Sequence, residues 1–354
     1  MRHEGTGPVT IDDVAHAAGV SRQTVSNVLN SPERVRASTK QRVHDAIARL
    51  NYRPNASAKR LRTGRPATVA IRFDATWDDG TGSLLDRFIH AAIDEASARG
   101  IRVLAYTADD SDREIRTVQE LLEARDADWF IVTSTFPGDP RLSWLIEHDI
   151  PCVLFGRPWA ADGTVSADPL PWVDVDGRSG TYDATRSFVQ AGMTNIGYLD
   201  WSYPSGTGAD RRSGWQDAMT EHGGLSDDAL GALLQACPED ADLATAAARE
   251  LLHRIPDLEA IVCASDTLAV GALKAIADEG ASGIRVAGFD NSRTADLLGI
   301  PSVDQNLAEV ARTCLDLLTA RAEGIEGASH RIVRPRFVDR KQPYSLTASG
   351  APHS

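Results

Sequence analysis

The hydrophobic positions of the first fifty residues follow the period of short helices. The apolar residues that share one face of a first helix are Ile11, Val14, Ala15 and Ala18. Thr10 precedes them as the N-cap of a capping box, and Gly19 ends the helix. Ser21 then begins a second helix as its N-cap, and Ser38 begins a third, with Gln41 completing a capping box. Two helices joined by a tight glycine turn, with a third after them, predict a helix-turn-helix.

From Ala67 onward, short apolar runs alternate with helical stretches. Glycines end the helices before three of these runs, at Gly100, Gly192 and Gly280, so the pattern repeats in two halves. Alternating strands and helices predict an α/β fold with two doubly wound parallel sheets. The predicted strands are Thr68–Phe73, Ile101–Tyr106, Trp129–Val132 and Cys152–Phe155 in the first half, and Asn195–Asp200, Ala260–Ala264 and Ile284–Phe289 in the second.

Length and composition are those of an ordinary globular protein. The 354 residues are 42% apolar and 25% charged, which at roughly 150 residues per domain suggests two or three domains. No apolar run approaches the roughly 18 residues of a spanning helix, and Met1–Asp13 lacks the apolar region of a secretory signal. No C-x-x-C pair is present, so we expect small buried thiols in a reducing cytoplasm, and neither disulfides nor a zinc site. The four cysteines are Cys152, Cys237, Cys263 and Cys314.

Charge is distributed unevenly along the chain. The whole chain has a net charge of −13, yet residues 1–65 contain 12 Lys and Arg and only 5 Asp and Glu. A small basic module joined to an acidic body indicates that the module faces a polyanion. From charge alone, a basic end that is merely solvated remains the alternative.

The second helix carries polar side chains suited to reading DNA bases. Arg22 and Gln23, with Ser26 and Asn27 one turn later, lie opposite its apolar face. Arg can hold guanine O6 and N7 with two hydrogen bonds, Gln can do the same for adenine, and Asn can donate or accept. Since such residues near the start of a recognition helix reach the major groove, double-stranded DNA is the expected partner. A solvated polar face on a small helical bundle is the alternative.

These residues resemble the headpiece of a known family. The stretch V-T-I-D-D-V-A-H-A-A-G-V-S-R-Q-T-V-S-N-V-L-N (Val9–Asn30) is similar to that of the lactose-repressor (LacI/GalR) family of bacterial transcription regulators, and the likeness continues through Leu50–Asn55 and Ala58–Gly64. The resemblance implies a DNA-binding headpiece at residues 1–54 and a hinge helix at 55–65. The DNA-binding residues expected from the polar face and the resemblance are Thr10, Ser21, Arg22, Gln23, Thr24, Ser26, Asn27, Asn30, Tyr52, Asn55, Ala58 and Leu61.

The hinge segment Ala56–Thr63 is too short to hold itself as a helix, because isolated helices below about 12–15 residues are marginal in water. We therefore expect it to form only when it pairs with its copy in a homodimer on DNA. The resemblance implies that Leu61 of each subunit inserts into the minor groove at a central C-G step and kinks it. Lys59, Arg60 and Arg62 would contact phosphates around it. An unstructured basic linker is the alternative.

The resemblance also implies an effector-binding and dimerisation core of two subdomains similar to periplasmic sugar-binding proteins. Ligands in such folds bind outside the carboxyl ends of the strands, so the effector is expected in the cleft between the subdomains. The expected ranges are 66–345 for the core, about 66–170 plus 303–331 for the first subdomain, about 171–302 plus 332–345 for the second, and 346–354 for a tail.

Polar residues at the predicted strand ends are candidates for effector contacts. By the resemblance, Arg211 in A-D-R-R-S-G-W and Asp290 in G-F-D-N match family residues that bind effector hydroxyls, and Asp266 and Gln305 are the next matches. Arg157 also ends a strand. An aspartate that accepts adjacent hydroxyls and a planar arginine that donates to others suit a polyol. For each residue the alternative is a helix cap or an ion pair between subdomains.

Aromatic residues extend this set. Trp77, Trp159 and Trp201 follow predicted strands, where they could stack on the apolar face of a sugar. The segment Arg72–Ser83 departs from the usual short turn of the family, and its acidic and aromatic residues suit a hydroxylated ligand. The tryptophans expected in the core are Trp129, Trp144 and Trp215. The expected effector-binding residues are Asp74, Trp77, Arg157, Trp201, Arg211, Asp266, Asp290 and Gln305.

The function that these patterns predict is sequence-specific DNA binding under the control of a small molecule. The chain has no G-x-G-x-x-G, G-K-[ST], G-x-S-x-G or H-E-x-x-H motif, so neither an enzyme, nor a metal site, nor a cofactor beyond the effector is expected. We predict a cytoplasmic repressor of carbohydrate-utilisation genes that a mono- or oligosaccharide releases from a palindromic operator. A nucleobase corepressor and, less favoured, a free-standing sugar-binding protein are the alternatives. Because Pro343–Ser354 lacks leucine heptads, a homodimer is preferred to a tetramer.

Overall fold

Buried apolar side chains gather around separate cores in two units of the chain, Met1–Arg65 and Pro66–Ser354. The structure is a computed structural model that describes residues 11–30, 35–50, 67–73, 84–167, 170–325 and 330–340. Among these residues no helix has the length and apolar character needed to cross a bilayer.

The described part of the first unit contains three helices, α1 (Ile11–Ala18), α2 (Arg22–Asn30) and α3 (Ala37–Leu50). Gly19 turns the chain between α1 and α2 at a φ of +64°, where a side chain would be strained. The Ser21 hydroxyl accepts the N–H of Thr24 at 3.1 Å, which confirms the predicted cap of α2. The fully described core side chains include Val14, Ala15, Ala18, Val25, Val28, Val43 and Ala46.

The start of α3 differs from the prediction. The carbonyl of Arg36 accepts the N–H groups of Thr39 and Lys40, each at 3.0 Å, so Ser38 lies inside the first turn and is not the N-cap. The side-chain amide of Gln41 donates to Asp45 one turn later, at 2.9 Å. The expected capping box at Ser38 is therefore wrong, because the backbone becomes helical one residue before it.

In the second unit, strands and helices alternate along the chain. The first half contains β1 (Thr68–Arg72), α4 (Leu84–Ala98), β2 (Arg102–Tyr106), α5 (Ser111–Ala124), β3 (Trp129–Val132), α6 (Pro140–Glu147), β4 (Cys152–Phe155), β5 (Trp172–Val175) and α7 (Gly177–Gln190). The second half contains β6 (Ile196–Trp201), α8 (Gly206–Gly223), α9 (Asp227–Leu233), β7 (Leu234–Cys237), α10 (Ala241–Arg254), β8 (Ala260–Cys263), α11 (Asp266–Asp278), β9 (Arg285–Phe289), α12 (Arg293–Leu298), β10 (Ser302–Asp304), α13 (Leu307–Glu323), β11 (His330–Val333) and β12 (Arg336–Val338).

The described strands form two six-stranded sheets, one in each of two lobes. The first lobe has the order β11-β5-β4-β3-β1-β2 and is parallel throughout. The second has the order β12-β10-β9-β8-β6-β7 and is parallel except where β10 pairs with β12. The predicted class, a helix-turn-helix unit plus two parallel α/β subdomains, is confirmed.

Alternate residues of each central strand supply different layers of the core. In the first lobe, Val69 and Ile71 pack in the cluster that contains α4 and α13 side chains, whereas Ala70 packs in the cluster that contains Leu142 and Leu145 of α6. Helices therefore cover both faces of the sheet, as a doubly wound fold requires. Because both faces are covered, the effector site expected from the sequence would lie at the loops that follow the strands.

The chain crosses between the lobes at three places. Strand β5 lies in the first sheet, so the boundary expected near residue 170 moves to after Val175. Strand β10 lies in the second sheet, which moves the next boundary from 302 to after Asp304. The last crossing lies between Val333 of β11 and Arg336 of β12.

All seven predicted strands are present, with ends that differ by a residue or so. Strands β5, β7, β10, β11 and β12 were not predicted. The four cysteines are buried, as expected, and so are Trp129 and Trp215. Trp144 is only half-buried: it packs against the edge of a core cluster of the first lobe and stacks on His148 with 4.7 Å between ring centroids.

Candidate DNA-reading helix and effector cleft

Helix α2 presents the polar face that the sequence predicts for base reading. Arg22 and Gln23 are exposed and Asn27 is half-buried. The Gln23 amide donates to the Asn27 oxygen at 3.0 Å, and the Arg22 guanidinium lies 3.6 Å from Asp12 of α1. These contacts involve exposed side chains, so they can be exchanged for base contacts at little cost.

Ser26 departs from this face. Only 7% of the residue is exposed, because α2 packs against both α1 and α3 and not along one narrow stripe. Ser26 therefore lies in the bundle, and its expected role as a base reader is not supported by its position. Thr24 is half-buried, and its hydroxyl bonds to that of Ser21 at 2.8 Å.

The remaining expected DNA contacts are not covered by the structure. Asn30 ends α2, but only its backbone is described. The other expected contacts, including the hinge wedge, lie outside the described residues: Thr10, Tyr52, Asn55, Ala58 and Leu61.

Arg211 and Asp290 meet in the second lobe, at the carboxyl ends of its strands. Arg211, on α8, is 4% exposed, and its Nη1 donates to the carbonyl of Ala264 just after β8, at 2.6 Å. The same Nη1 lies 3.8 Å from Oδ1 of Asp290, and the guanidinium covers the ring of Phe289 at 3.7 Å. Its Nε has no hydrogen-bond partner among the described residues. The orientation of Arg211 is thus fixed by Ala264 and Phe289, and its buried Nε makes no hydrogen bond among the described residues.

Asp290 directly follows β9 in a constrained conformation. Its φ is +115°, its N–H donates to the carbonyl of Val303 at 2.9 Å, and its Oδ1 accepts the Gln305 amide at 2.5 Å. The side chain is 19% exposed. Burial raises the pKa of Asp290 to about 7, although Arg211 opposes the shift. With a pKa near 7 the carboxyl group is partly protonated at neutral pH, and its ionised form can accept hydroxyl donors.

Asp266 does not join this pair. It is 2% exposed, its Oδ2 accepts the N–H of Ser292 at 2.6 Å, and its Oδ1 accepts the hydroxyl of Ser302 at 2.5 Å. A Cβ at Gly288 would overlap its Oδ1, so the carboxylate is packed behind β9. Both carboxylate oxygens therefore hold loops of the second lobe together. Asp266 therefore has a structural role in the second lobe and is not positioned to contact an effector.

Arg157 forms an ion pair between the subdomains, which is the alternative expected for it. Its Nε lies 3.0 Å from Asp174 on β5, and its Nη2 lies 2.6 Å from Asp210 on α8. Asp210 belongs to the second lobe, so this ion pair connects the two lobes. Burial raises the pKa of Asp174 to about 6, although the Arg157 charge opposes the shift.

Two further contacts connect the lobes. The ring of Trp159, in the first lobe, packs on Gly206 at the start of α8, and a Cβ there would lie inside 3.0 Å of the ring. From α4, Arg87 donates to the carbonyl of Asp290 at 2.5 Å. Trp159 is thus buried between the lobes and does not offer a free face to a sugar. Asp74 and Trp77 lie outside the described residues.

Trp201 ends β6 beside Arg211. Its indole N–H donates to Glu239, which also accepts the Ser265 hydroxyl at 2.9 Å. The Arg211 guanidinium lies 5.1 Å from its ring centroid. Sequence reasoning missed Glu239, Asp210 and Arg87. Glu239 follows β7, a strand that was not predicted, and Arg87 lies on α4, away from the strand ends. Asp210 stands next to Arg211 in the A-D-R-R-S-G-W motif, but the resemblance selected only Arg211.

The described residues contain no group of His, Cys, Asp and Glu side chains that could hold a metal ion. The site instead combines a buried guanidinium, a carboxyl group and an amide at strand ends, and a helix-turn-helix occupies the other unit. That combination is typical of DNA-binding transcription regulators that carry a small-molecule-binding core.

Comparisons with known proteins specify the family. Residues 10–55 match the model of bacterial regulatory proteins of the lacI family, and residues 86–327 match that of periplasmic binding proteins and sugar binding domain of LacI family. The HTH-type transcriptional regulator CelR of Thermobifida fusca is 30% identical over 89% of this chain and 92% of its own length. GalR of Escherichia coli (strain K12) is 28% identical over 89% and 87%.

A solved structure agrees. The transcriptional regulator CelR–cellobiose complex has a TM-score of 0.68 and 26% identity, and the match covers 94% of this chain and 99% of that one. The chain belongs to the LacI family of DNA-binding transcriptional regulators, which are not enzymes. The resemblance stated from the sequence is confirmed.

Proposed function

We propose that this protein is a homodimeric repressor of carbohydrate-utilisation genes that a sugar releases from a palindromic operator in the cytoplasm. The observation that carries the proposal is the Arg211–Asp290–Gln305 cluster at the carboxyl edge of the second sheet. In this assignment residues 1–54 read DNA, 55–65 form the hinge and the two-lobed core senses the sugar.

The cluster has the donors and acceptors that a polyol needs. Asp290 can accept two adjacent hydroxyls once Gln305 shifts, and the Arg211 guanidinium beside it can donate to others. The planar guanidinium is already fixed by Ala264 and Phe289, so little side-chain entropy is lost on binding. Trp201 supplies apolar surface beside these groups. Of the eight expected effector residues, Arg211, Asp290, Gln305 and Trp201 are retained in the proposal.

The effector acts by shifting a conformational equilibrium. It can release DNA only if it binds the low-affinity arrangement of the core more tightly than the operator-bound arrangement. A hundredfold preference corresponds to about 2.7 kcal/mol. Arg211 and Asp290 are largely shielded from water in this structure, and we assign the sugar to a state in which the lobes close over this cluster.

Cellobiose is the first sugar to test. Cellobiose is the ligand of the solved CelR complex, and CelR of Thermobifida fusca is similar to this chain along most of its length. The comparison with GalR, another relative, indicates no ligand, so a panel of other mono- and disaccharides is tested beside cellobiose.

The test begins with an operator selected from fragmented genomic DNA by the purified protein at fixed salt, since affinity for DNA depends steeply on salt. Sugars are then added to the complex while DNA binding is followed by fluorescence anisotropy. We expect one sugar to weaken operator binding at least tenfold in the wild type. Asp290→Ala should bind the operator normally and lose this response, because the hydroxyl acceptor is gone.

The matched control is Asp242→Ala, an exposed acid at the start of α10. It should respond to sugar as the wild type does. A normal response in Asp290→Ala would remove Asp290 from the site. A sugar or nucleobase that strengthens operator binding would replace the inducer model with a corepressor.

A further inference from the structure

An exposed aromatic ring extends the effector site out of the cleft. Tyr203 lies in the loop between β6 and α8, and 48% of the residue is exposed. A single exposed tyrosine is ordinary on a protein surface. Tyr203 differs because its ring is held in a defined orientation at the edge of the site.

The orientation comes from Trp201. The two rings are nearly parallel, with 14° between their planes and 5.8 Å between their centroids. Trp201 is itself fixed, since its indole N–H bonds to Glu239 and the Arg211 guanidinium lies over its ring. Arg211, Trp201 and Tyr203 are therefore in sequential contact, and Tyr203, the outermost of the three, is 48% exposed.

The loop that carries Tyr203 lies at the rim of the cleft. Three residues further on, Gly206 packs against Trp159 of the first lobe. Tyr203 stacks on Trp201, whose ring centroid lies 5.1 Å from the Arg211 guanidinium, so one ring separates Tyr203 from the Arg211–Asp290–Gln305 cluster. The burial of the neighbouring groups thus decreases from Arg211, 4% exposed, to Tyr203.

We propose that Tyr203 is a stacking platform for a second sugar ring, so that the effector is a disaccharide or a longer oligosaccharide. The inference rests on the proposed function. The first ring occupies the shielded cluster at Arg211 and Asp290, and the glycosidic bond leads outward past Trp201. The apolar face of the second ring then covers Tyr203. Tyrosine suits this role because it gives large contact area with few rotatable bonds.

The test compares sugars of one and two rings. Isothermal titration calorimetry measures binding of glucose and galactose, and of cellobiose, lactose, maltose and melibiose, to the full chain. The variants are Tyr203→Ala and Tyr203→Phe, with Tyr182→Ala as the control. Tyr182 is a tyrosine on α7 that hydrogen-bonds Glu221 of α8, away from the strand ends.

We expect the wild type to bind one disaccharide more tightly than its component monosaccharides. Tyr203→Ala should weaken the disaccharide about three- to tenfold, as expected for the loss of one aromatic stack, and leave the monosaccharide unchanged. Tyr203→Phe should retain the disaccharide affinity, because the ring and not the hydroxyl makes the contact. Tyr182→Ala should match the wild type.

Wild-type disaccharide affinity in Tyr203→Ala would overturn the platform and leave the proposed function standing. An equal loss for one-ring and two-ring sugars would also overturn it, because the change would then act on the inner cluster. If the wild type binds no sugar of the panel, the proposed function fails and the platform fails with it.

Discussion

The electrostatic environment of Asp290 is unusual for an aspartate. Its carboxyl group accepts the Gln305 amide and faces Arg211 at 3.8 Å, yet burial still raises its pKa to about 7. Because the pKa of Asp290 in the folded protein lies above the 3.8 of a free aspartate, protonation of this group stabilises the folded state. The contribution is fully present below about pH 4, where the group is protonated in both states. That contribution to the free energy of unfolding is lost as the pH rises through 7.

The same shift predicts a pH dependence of effector binding. A sugar hydroxyl that donates to Asp290 favours the ionised carboxylate, so binding below pH 7 must release a proton. We expect the association constant to rise from pH 5.5 to 7.5, by at most about tenfold per pH unit, and then to level off. Calorimetry in buffers of different ionisation enthalpy measures both the affinity and the proton released.

Asp290→Asn separates this group from its neighbours. Burial raises the pKa of Asp174 to about 6 and also raises that of Asp200, so either could add a slope. The asparagine variant should bind more weakly and show a flatter profile. An unchanged slope in Asp290→Asn would assign the pH dependence to another carboxyl group.

At the same scale, sequence motifs identified residues of the candidate site but did not determine the orientation of every side chain. Arg211, Asp290 and Asp266 were all matched by short motifs next to predicted strands. Only the first two meet, because Asp266 is drawn behind β9 by Ser292 and Ser302. A motif gives the position of a Cα on an element, whereas the direction of the carboxylate depends on hydroxyl and amide donors from loops distant in the sequence.

At the scale of elements, the strands that were predicted are those with continuous apolar runs. Strand β3 (W-F-I-V) is buried at every position, and parallel strands covered on both faces read in this way. Strand β7 (L-Q-A-C) is a half-exposed edge strand, and β10 and β12 have three residues each. Such short or half-exposed strands carry too little hydrophobic pattern to be distinguished from loops, and their pairing is set by the sheet beside them.

The start of α8 offers a test of lobe closure. Gly206 lets this helix approach Trp159 so closely that a Cβ would overlap the indole ring. We expect Gly206→Ala to hold the lobes apart and to weaken the effector about tenfold or more, because a rigid buried ring cannot move aside. Tryptophan fluorescence and calorimetry together would report the open cleft and the lost affinity.

The control for this change is Gly231→Ala on α9, where a new Cβ meets nothing within 4 Å. It adds the same methyl group to a helix of the same lobe, so its effector affinity should equal that of the wild type. If Gly206→Ala bound the effector as well as Gly231→Ala, the contact with Trp159 would not limit closure.

At the scale of the whole core, the two lobes are joined by charges as well as by the chain. Arg157 bridges Asp174 of its own lobe and Asp210 of the other. Removing Arg157 would leave the buried Asp174 without its partner, which costs stability in either arrangement of the lobes. Removing Asp210 is the cleaner change, because Arg157 keeps Asp174 and only the bond across the cleft is lost.

We therefore expect Asp210→Asn to weaken effector binding about three- to tenfold, since a partly buried ion pair of this kind contributes roughly 1 kcal/mol to the closed state.

The matched control is Asp217→Asn, which removes the 2.5 Å ion pair with Arg178 between α7 and α8. That pair lies within the second lobe and should not affect the effector. Calorimetry compares the wild type with the single variants Asp210→Asn, Asp217→Asn and Arg157→Gln and with the double variant Arg157→Gln/Asp210→Asn. Because Arg157 and Asp210 share one bond across the cleft, their effects on affinity should be less than additive. Full additivity, or an Asp210→Asn variant as tight as Asp217→Asn, would mean that the bridge does not distinguish the sugar-bound core from the sugar-free one.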